Sequence, residues 1–347
     1  MPLGHLSTTY QRIADILSFE VPTDTLEGTL NQDNFDWDAI VVEGSKHLVL
    51  PAIYCRLKAK NLLHCLPVDL KSYLEELTAI NRNRNTAILK QVNSISDLLQ
   101  KHHIPHVFLK GSALLALNVY EDLAERMVGD IDILIEKQQI QKAFHVLRQN
   151  GYSQTRSFNY QTNGFRHLDS LINPNALAAV ELHEELFNQR YTYLMRGSEM
   201  LNSKMTINSL SMPKPKQLYE HIILASQVND YSYFYNSFNF KIAYDTLVLS
   251  TMNQQEELNQ DLVQTKYGMA FLSILQFHFK DFRSKELIKT GTRKLFLYKL
   301  ENKFPILRSL IRGLKYLSFY IFSRLELLLT NMSYRKYIIN KIFIFDK

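Results

Sequence analysis

The chain has 347 residues, of which 46% are hydrophobic and 21% are charged. This balance excludes a disordered chain and is typical of a globular protein with a sizeable core. Its two cysteines, Cys55 and Cys65, are too few for a disulfide framework. The first twenty residues lack a basic start followed by an apolar run, so we predict no secretory signal and expect a cytoplasmic protein.

The net charge of +6 is concentrated near the C-terminal end. Residues 293–347 contain twelve Lys and Arg against three Asp and Glu, a net charge of +9, which leaves −3 for the preceding residues. Their most apolar charge-free run, Tyr316 to Ser323, is far shorter than the roughly 18 residues that span a bilayer. The segment 291–347 either contacts a membrane surface or a partner protein, or it forms a final helical pair with a basic outer face. We favour the helical pair.

The first hundred residues have the apolar spacing of helices. The clearest predicted helix runs from Pro67 to Lys101, where apolar residues recur near helical spacing. A polar run, Asn81 to Asn85, interrupts the apolar face of this helix. It is either a solvated turn of the helix, the interpretation we favour, or a segment that brings Arg82 or Arg84 to a ligand-binding cleft.

Short β-prone runs begin after Pro105. In chain order the pattern predicts a strand at His106–Leu109, a helix at Ala113–Val119, a strand at Asp130–Ile135, a helix at Lys137–Asn150, and strands at Phe165–Ile172 and Leu177–His183. Helices return from Gln189 onward. The predicted fold is therefore α+β, with a small mixed sheet flanked by N-terminal and C-terminal helical subdomains.

We predict four parts in the chain. They are an N-terminal helical subdomain (1–104), a core sheet (105–188), a C-terminal helical subdomain (189–290) and a basic, aromatic-rich helical tail (291–347).

A short motif, Lys110-Gly111-Ser112, follows the first predicted strand and opens a helix. Gly111 lets the backbone approach a phosphate closely, and the free N–H groups at the start of a helix favour anions. The Ser112 hydroxyl can donate a further hydrogen bond. Lys110 and Arg126 are cations that can neutralise a β- or γ-phosphate. These four residues are predicted to bind the phosphates of a nucleotide.

Three carboxylates are predicted to hold metal. Asp130 and Asp132 lie two residues apart on one strand, so their side chains point to the same side. Such a pair can share two Mg²⁺ ions, which prefer oxygen ligands and bridge a triphosphate. Glu181, on another predicted strand, can complete the metal site and help to take a proton from an acceptor hydroxyl. His183 shares a face with Glu181 and is predicted on the acceptor side.

The phosphate-binding motif followed along the chain by the three carboxylates resembles the nucleotidyltransferase superfamily typified by DNA polymerase β. Within this superfamily it resembles the group known as uncharacterised nucleotidyltransferases. The resemblance covers residues 30–250. It rests on Leu109-Lys110-Gly111, Tyr120, Arg126, Asp130-Ile131-Asp132-Ile133-Leu134, Glu181-Leu182-His183 and the helical residues 37–105, with His221 and Asp245 fitting less specifically. Two features depart from common patterns: the gap from Ser112 to Asp130 is longer than in many superfamily members, and Glu184 stands where an aromatic residue is common.

The resemblance implies Mg²⁺-dependent transfer of a nucleoside monophosphate from an NTP to a hydroxyl or phosphate acceptor, with release of pyrophosphate. The acceptor stays open between a protein, a tRNA and a small molecule, and a toxin-like role is a subclass of the same activity. The alternative is a non-catalytic nucleotide-binding module whose basic tail docks on a membrane or a partner protein. The presence of all three carboxylates favours the enzyme. Nucleic acid is a possible partner, but only the basic charge of the tail supports it.

Two other groups of residues are expected to be structural. His102, His103 and His106 are close in sequence but lack a fourth metal ligand, so we expect the end of a helix there. The aromatic residues between Tyr231 and Phe240 are expected to pack between helices rather than to stack on bases.

Overall fold

A computed structural model of the protein describes residues 5–155, 167–252, 258–282 and 293–343. It has the predicted α+β fold, in which a five-stranded mixed sheet and a separate two-stranded sheet lie among helices. The start of the predicted strand Phe165–Ile172 and the predicted boundary at residue 290 lie outside the described ranges.

In the described residues, five α-helices precede the sheet. Their bounds are α1 (His5–Leu17), α2 (Thr23–Leu30), α3 (Trp37–Lys46), α4 (Leu50–Ala59) and α5 (Val68–Lys101). Helix α5 begins directly after Pro67, which has no N–H to leave unsatisfied at a helix start. It buries an apolar stripe that includes Leu74, Ile88 and Val92. This stripe packs α5 against α4 and against the helices of the core.

The five-stranded sheet carries the predicted metal ligands. Its strands are β1 (His106–Phe108), β2 (Asp130–Ile135), β3 (Ser153–Gln154), β4 (Leu171–Ile172) and β5 (Ala179–His183), in the order β1-β2-β5-β4-β3. Strands β2 and β5 are parallel and the other pairs are antiparallel. The parallel register places Asp132 opposite Glu181 and Leu134 opposite His183. The two carboxylates predicted on separate strands are thus direct neighbours.

Two helices connect these strands, and both differ from their predicted bounds. Helix α6 (Lys110–Ala116) begins three residues earlier than predicted, and α7 (Ile140–Gln149) begins later. Gly151 follows α7 with a φ of +88°, the left-handed conformation that commonly ends a helix. The strand predicted from Phe165 is shorter: in the described residues before β4, only His167 forms a β-bridge, to His183.

The chain after the sheet is mostly helical, as predicted, but it also contains an unpredicted hairpin. The elements are α8 (Gly197–Ser203), β6 (Met205–Ile207), β7 (Leu210–Met212), α9 (Pro215–Val228), α10 (Ser232–Tyr235), α11 (Phe240–Thr251) and α12 (Lys266–His278). Asn208 and Ser209 join β6 to β7 with positive φ values of 48° and 66°. A two-residue turn of this kind usually carries glycine, so the sequence lacks the common hairpin signal.

The C-terminal tail forms three helices, α13 (Arg293–Lys303), α14 (Pro305–Thr330) and α15 (Met332–Phe343). Helix α13 packs on α1 and α12, α14 packs on α13, and α15 packs on α14. The favoured prediction of a basic outer face is wrong for α14, because Arg308 and Arg312 of this helix point toward the body. Within the described ranges, no helix has both the length and the apolar character needed to cross a membrane.

An aromatic cluster joins the first helix to the C-terminal helices. The ring of His278, at the end of α12, lies 5.3 Å from Phe238, 5.6 Å from Phe240 and 6.2 Å from Tyr10. Its Nε2 atom lies 2.9 Å from the Tyr298 hydroxyl. Burial, followed by the nearby His47, lowers the pKa of His278 to about 3. His278 is therefore a neutral part of the core at physiological pH.

We predict that His278 makes the fold sensitive to mild acid. Its pKa is about 3 in the folded protein and about 6.5 in an unfolded chain, so only the unfolded chain gains a proton between these values. The free energy of unfolding should therefore fall as the pH drops below about 6.5, by up to about 1.4 kcal/mol per pH unit for this group. His278→Gln cannot take up this proton and can still bond to Tyr298. Urea unfolding at several pH values should give a shallower slope for the variant, and equal slopes would contradict the prediction.

Candidate active site

The chain turns from β1 into α6 at Lys110. This residue has a φ of +48°, a left-handed conformation that costs a non-glycine residue on the order of 1 kcal/mol. From this turn the side chain reaches back to β2, where its Nζ atom lies 2.5 Å from Oδ1 of Asp132. The strained turn thus brings a cation to the predicted metal ligands.

Gly111 lies at the wall of a cleft next to the Lys110 turn. A Cβ atom at this position would lie 3.1 Å from Cγ2 of Val128 and 3.7 Å from Nη2 of Arg126. A side chain here would press on the adjacent loop that precedes β2. Glycine therefore keeps the wall of the cleft open at this point.

The Ser112 hydroxyl is not presented to this cleft. The residue is fully buried, and its Oγ donates a hydrogen bond of 2.9 Å to the carbonyl oxygen of Leu109. The sequence predicted a phosphate contact for this hydroxyl. Its contact in the structure stabilises the turn into α6.

Asp132 is a buried carboxylate shared by two nitrogen atoms. Besides Lys110, Nε2 of His183 lies 2.8 Å from its Oδ1. Burial alone would raise the pKa of Asp132, but the Lys110 ammonium and His183 hold this pKa well below its usual range. Asp132 is therefore ionised, although only 2% of the residue is exposed.

Glu181 lies across the β2–β5 pair from Asp132, within reach of two histidines. Its Oε2 is 3.6 Å from Nε2 of His183 and 3.9 Å from Nε2 of His167, and its Oε1 accepts a hydrogen bond of 3.1 Å from Ser170. His183 first, and His167 next among the stabilising contacts, lower the pKa of Glu181 to about 2. The half-buried carboxylate is ionised at neutral pH.

The predicted acceptor-side position of His183 needs correction. The residue is 1% exposed and lies between the carboxylates of Asp132 and Glu181. Ligand atoms of these three residues all lie within 4.8 Å of one another, a spacing that can hold a metal ion. His183 therefore lies against the two carboxylates and is not open to an incoming acceptor.

Other possible metal groups are limited in the described ranges. His102, His103 and His106 do not form one; the second group consists of Glu27, His64 and Cys65 on the surface of the N-terminal helices. His106 is buried, and its Nδ1 lies 2.9 Å from the Ile104 carbonyl oxygen, which agrees with the structural role expected for it.

Asp130 stands at the exposed start of β2, at the mouth of the cleft. It points to the same side of the strand as Asp132, in agreement with the predicted alternation. The surrounding protein removes part of the hydration of its carboxyl group, and Asp132 adds negative charge, so the pKa of Asp130 is raised. A cation bound between the two would relieve this repulsion.

The cleft has a volume of about 210 Å³. It lies between the Lys110 turn, the loop that precedes β2, and helices α9 and α11, and both aspartates line it.

Lys241 in the first turn of α11 also lines the cleft, and burial together with Arg126 lowers its pKa to about 8. Lys241 was not among the residues predicted from the sequence. The one sequence feature that could have indicated it is its position four residues before Asp245, which places both side chains on one face of a helix.

Arg126 was predicted to bind phosphate, but two of its three side-chain nitrogen atoms have partners within the protein. Its Nε lies 2.8 Å from Oδ1 of Asp245, and its Nη1 donates a hydrogen bond of 2.7 Å to the Met127 carbonyl oxygen. Tyr120 donates a hydrogen bond of 2.7 Å to the same Asp245 carboxylate. All three side chains of this Tyr120–Arg126–Asp245 group are buried. Arg126 still forms part of the cleft wall beside Gly111.

The polar run of α5 holds the loop that precedes β2. Asn81 and Asn85 are buried, and both donate hydrogen bonds to the carbonyl oxygen of Arg126, at 3.2 Å and 2.7 Å. Arg82 pairs with Asp122, and Arg84 donates to the Val128 carbonyl oxygen. The favoured interpretation as a solvated turn is therefore wrong. Neither arginine lines the cleft described above; the run positions the backbone of the cleft wall.

A comparison of the sequence with protein-family models supports a transferase of the nucleotidyltransferase class. Residues 33–267, more than half of the chain, match the family model described as "Uncharacterised nucleotidyltransferase". The chain belongs to this family. No curated protein matches the chain. The matched range contains Asp130, Asp132, Glu181 and every residue of the cleft, whereas the tail helices α13 to α15 lie outside it.

We predict that Asp245→Ala destabilises the protein far more than Tyr120→Phe. The first change leaves the Arg126 guanidinium buried without its carboxylate, which typically costs about 3–5 kcal/mol. The second removes one hydrogen bond and should cost about 1 kcal/mol. Urea unfolding of both variants measures the difference. Similar costs for the two variants would show that the buried ion pair is not essential to the loop.

Proposed function

We propose that the protein is a divalent-metal-dependent nucleotidyltransferase. It would transfer a nucleoside monophosphate from an NTP to a hydroxyl or phosphate acceptor and release pyrophosphate. The observation that carries this proposal is the group formed by Asp130, Asp132 and Glu181 on two adjacent parallel strands. Two of these carboxylates line a cleft that also contains the cations Lys110 and Lys241.

The donor atoms fit Mg²⁺. Three carboxylates supply the oxygen ligands that this ion prefers, and the low pKa values of Asp132 and Glu181 keep those two ionised at neutral pH. We assign Asp130 and Asp132 as the ligands nearest the NTP, and Glu181 as the third ligand. When bound, the metal ions would neutralise charge on the phosphates and on the entering and leaving oxygens.

The chain's own cations are proposed to hold the triphosphate. Lys110 and Lys241 both line the cleft, one from the turn into α6 and the other from α11. Lys110 contacts Asp132 and can transfer this contact to a phosphate when a metal ion takes over the carboxylate. Gly111 leaves room for the phosphates beside the Lys110 turn.

The histidines are proposed to position the acidic group. His183 lies against both Asp132 and Glu181, and Nε2 of His167 lies 3.9 Å from Oε2 of Glu181. These contacts fix the orientation of two carboxylates before any ligand binds, as partners of metal ligands commonly do. The lowered pKa of Glu181 makes it a better metal ligand than proton acceptor. We therefore assign Glu181 to the metal rather than to the acceptor's proton.

The first test removes both aspartates. Full-length protein is incubated with labelled NTPs, Mg²⁺ and a cell extract that supplies acceptors. The double variant Asp130→Asn and Asp132→Asn should lose at least about 100-fold of the labelling rate, because it removes two metal ligands while keeping their shape. Glu136→Gln, at an exposed acid just after β2, is the matched control and should label normally. Equal labelling by the wild type and the double variant would refute the proposal.

The second test concerns the triphosphate. Lys241→Met should weaken binding of a Mg²⁺–NTP complex by about 10-fold to 100-fold, the usual range for loss of a charge-assisted hydrogen bond. Binding of the nucleoside without phosphates should not change. Lys137→Met, at an exposed lysine away from the cleft, provides the control. Calorimetric titration that gives the same NTP affinity for Lys241→Met and the wild type would exclude a phosphate contact at this position.

A further inference from the structure

The outer face of α14 is apolar along nearly its whole length. Large apolar residues recur there every three or four positions: Ile306, Leu310, Leu314, Leu317, Ile321, Leu325 and Leu328. Each of these side chains is between 38% and 77% exposed, and no residue of α14 is buried. Such spacing places all seven on one side of a helix, which we call the α14 stripe.

The side of α14 that faces the body of the protein carries three cations and one aromatic ring, that of Phe319. Arg308 approaches the Tyr10 hydroxyl at 3.4 Å. Arg312 and Lys315 each lie 3.9 Å from a carboxylate oxygen of Glu301, a buried acid of α13. A helix that packs on a soluble protein normally turns its apolar side inward. Here the contacts run the other way, so the α14 stripe is left exposed over a distance of about 33 Å.

The charge around the stripe indicates what covers it. Between residues 305 and 343 the sequence has seven Lys and Arg and a single acid, Glu326. Arg335, Lys336 and Lys341 on α15 are exposed. A second copy of the chain would bring an equally basic tail against this one, and the like charges would repel. An anionic bilayer offers both an apolar interior for the stripe and phosphates for the cations.

The side chains at the edges of the stripe also suit a membrane surface. Tyr316 and Tyr320 flank it and are 63% and 49% exposed. Tyrosine is favoured at the level of the lipid headgroups, where its ring meets apolar chains and its hydroxyl meets water. Since α14 does not meet the requirements for spanning a bilayer, it would lie in the plane of the surface.

We propose that α14 and α15 dock the protein on an anionic membrane surface. The α14 stripe enters the boundary of the acyl chains, and the exposed cations of α15 contact the lipid phosphates. Helix α13 connects this surface to the body by packing on α1 and α12. The docking surface is separate from the cleft, so this inference does not depend on the proposed nucleotidyl transfer.

The experiment is vesicle flotation with the full chain. Vesicles of phosphatidylcholine alone are compared with vesicles in which a third of the lipid is phosphatidylglycerol. We expect at least about tenfold tighter binding to the anionic vesicles, weakened by salt because the headgroup contacts are electrostatic. Absence of binding to the anionic vesicles would overturn the proposal.

Two sets of variants distinguish the stripe from general hydrophobicity. Replacing Leu310, Leu314 and Leu317 by serine should reduce vesicle binding at least about tenfold. The matched control replaces Val68, Ile80 and Leu177 by serine. These side chains are comparably exposed but lie outside the tail helices, so this variant should bind vesicles normally. Because all six side chains are exposed, we expect both triple variants to fold, and circular dichroism checks this. Unchanged binding by the stripe variant would overturn the proposal.

A third variant tests the exposed cations of α15. Replacing Arg335, Lys336 and Lys341 by glutamine should weaken binding to anionic vesicles by about fivefold per residue, with little change for neutral vesicles.

Sedimentation equilibrium without lipid tests whether a second copy of the chain covers the stripe instead. A dimer that the Leu310, Leu314 and Leu317 variant abolishes would assign the stripe to a second copy and overturn the membrane assignment.

Discussion

The buried ion pair between Arg126 and Asp245 joins the parts of the molecule from which the cleft is built. The two residues are 119 positions apart in the chain, one in the loop before β2 and the other in α11. The backbone carbonyl of Arg126 also accepts hydrogen bonds from Asn81 and Asn85 of α5. One loop residue thus links the N-terminal helices, the strand of the aspartates and the helix of Lys241. Because both charges of the pair are buried, neither can be lost without leaving the other unpaired in the interior.

The acidic group depends on the same kind of compensation. Asp132 is held ionised in a buried position by Lys110 and His183, and Glu181 is held by His183 and His167. These contacts offset the repulsion between carboxylates that lie side by side on two strands. In the function proposed here, a metal ion and a polyphosphate would bring positive and negative charge to the site together. Lys110 would then exchange its contact with Asp132 for a contact with a phosphate, so that neither charge is left unpaired.

Much of the core was predictable because its signals are local. The strand Asp130–Ile135 has the bounds that its alternating pattern predicted, and the family resemblance found in its motif is confirmed by the match over residues 33–267. Contacts between distant residues were not predictable. Arg126 was interpreted as a phosphate ligand from its place near Asp130, because no local pattern records its pairing with a helix far along the chain. The apolar face of α14 is visible in the sequence, but its outward orientation depends on Glu301 of another helix.

We propose that the cleft beside β2 binds a metal-bound triphosphate through Asp130 and Asp132. The decisive measurement is a crystal structure of the full chain with Mg²⁺ and an NTP analogue that cannot be cleaved between its α- and β-phosphates. We expect Mg²⁺ at about 2.1 Å from oxygens of both aspartates, with the phosphates between Gly111 and Lys241. An analogue bound elsewhere on the protein, or bound in the cleft with no metal ion at either aspartate, would contradict it.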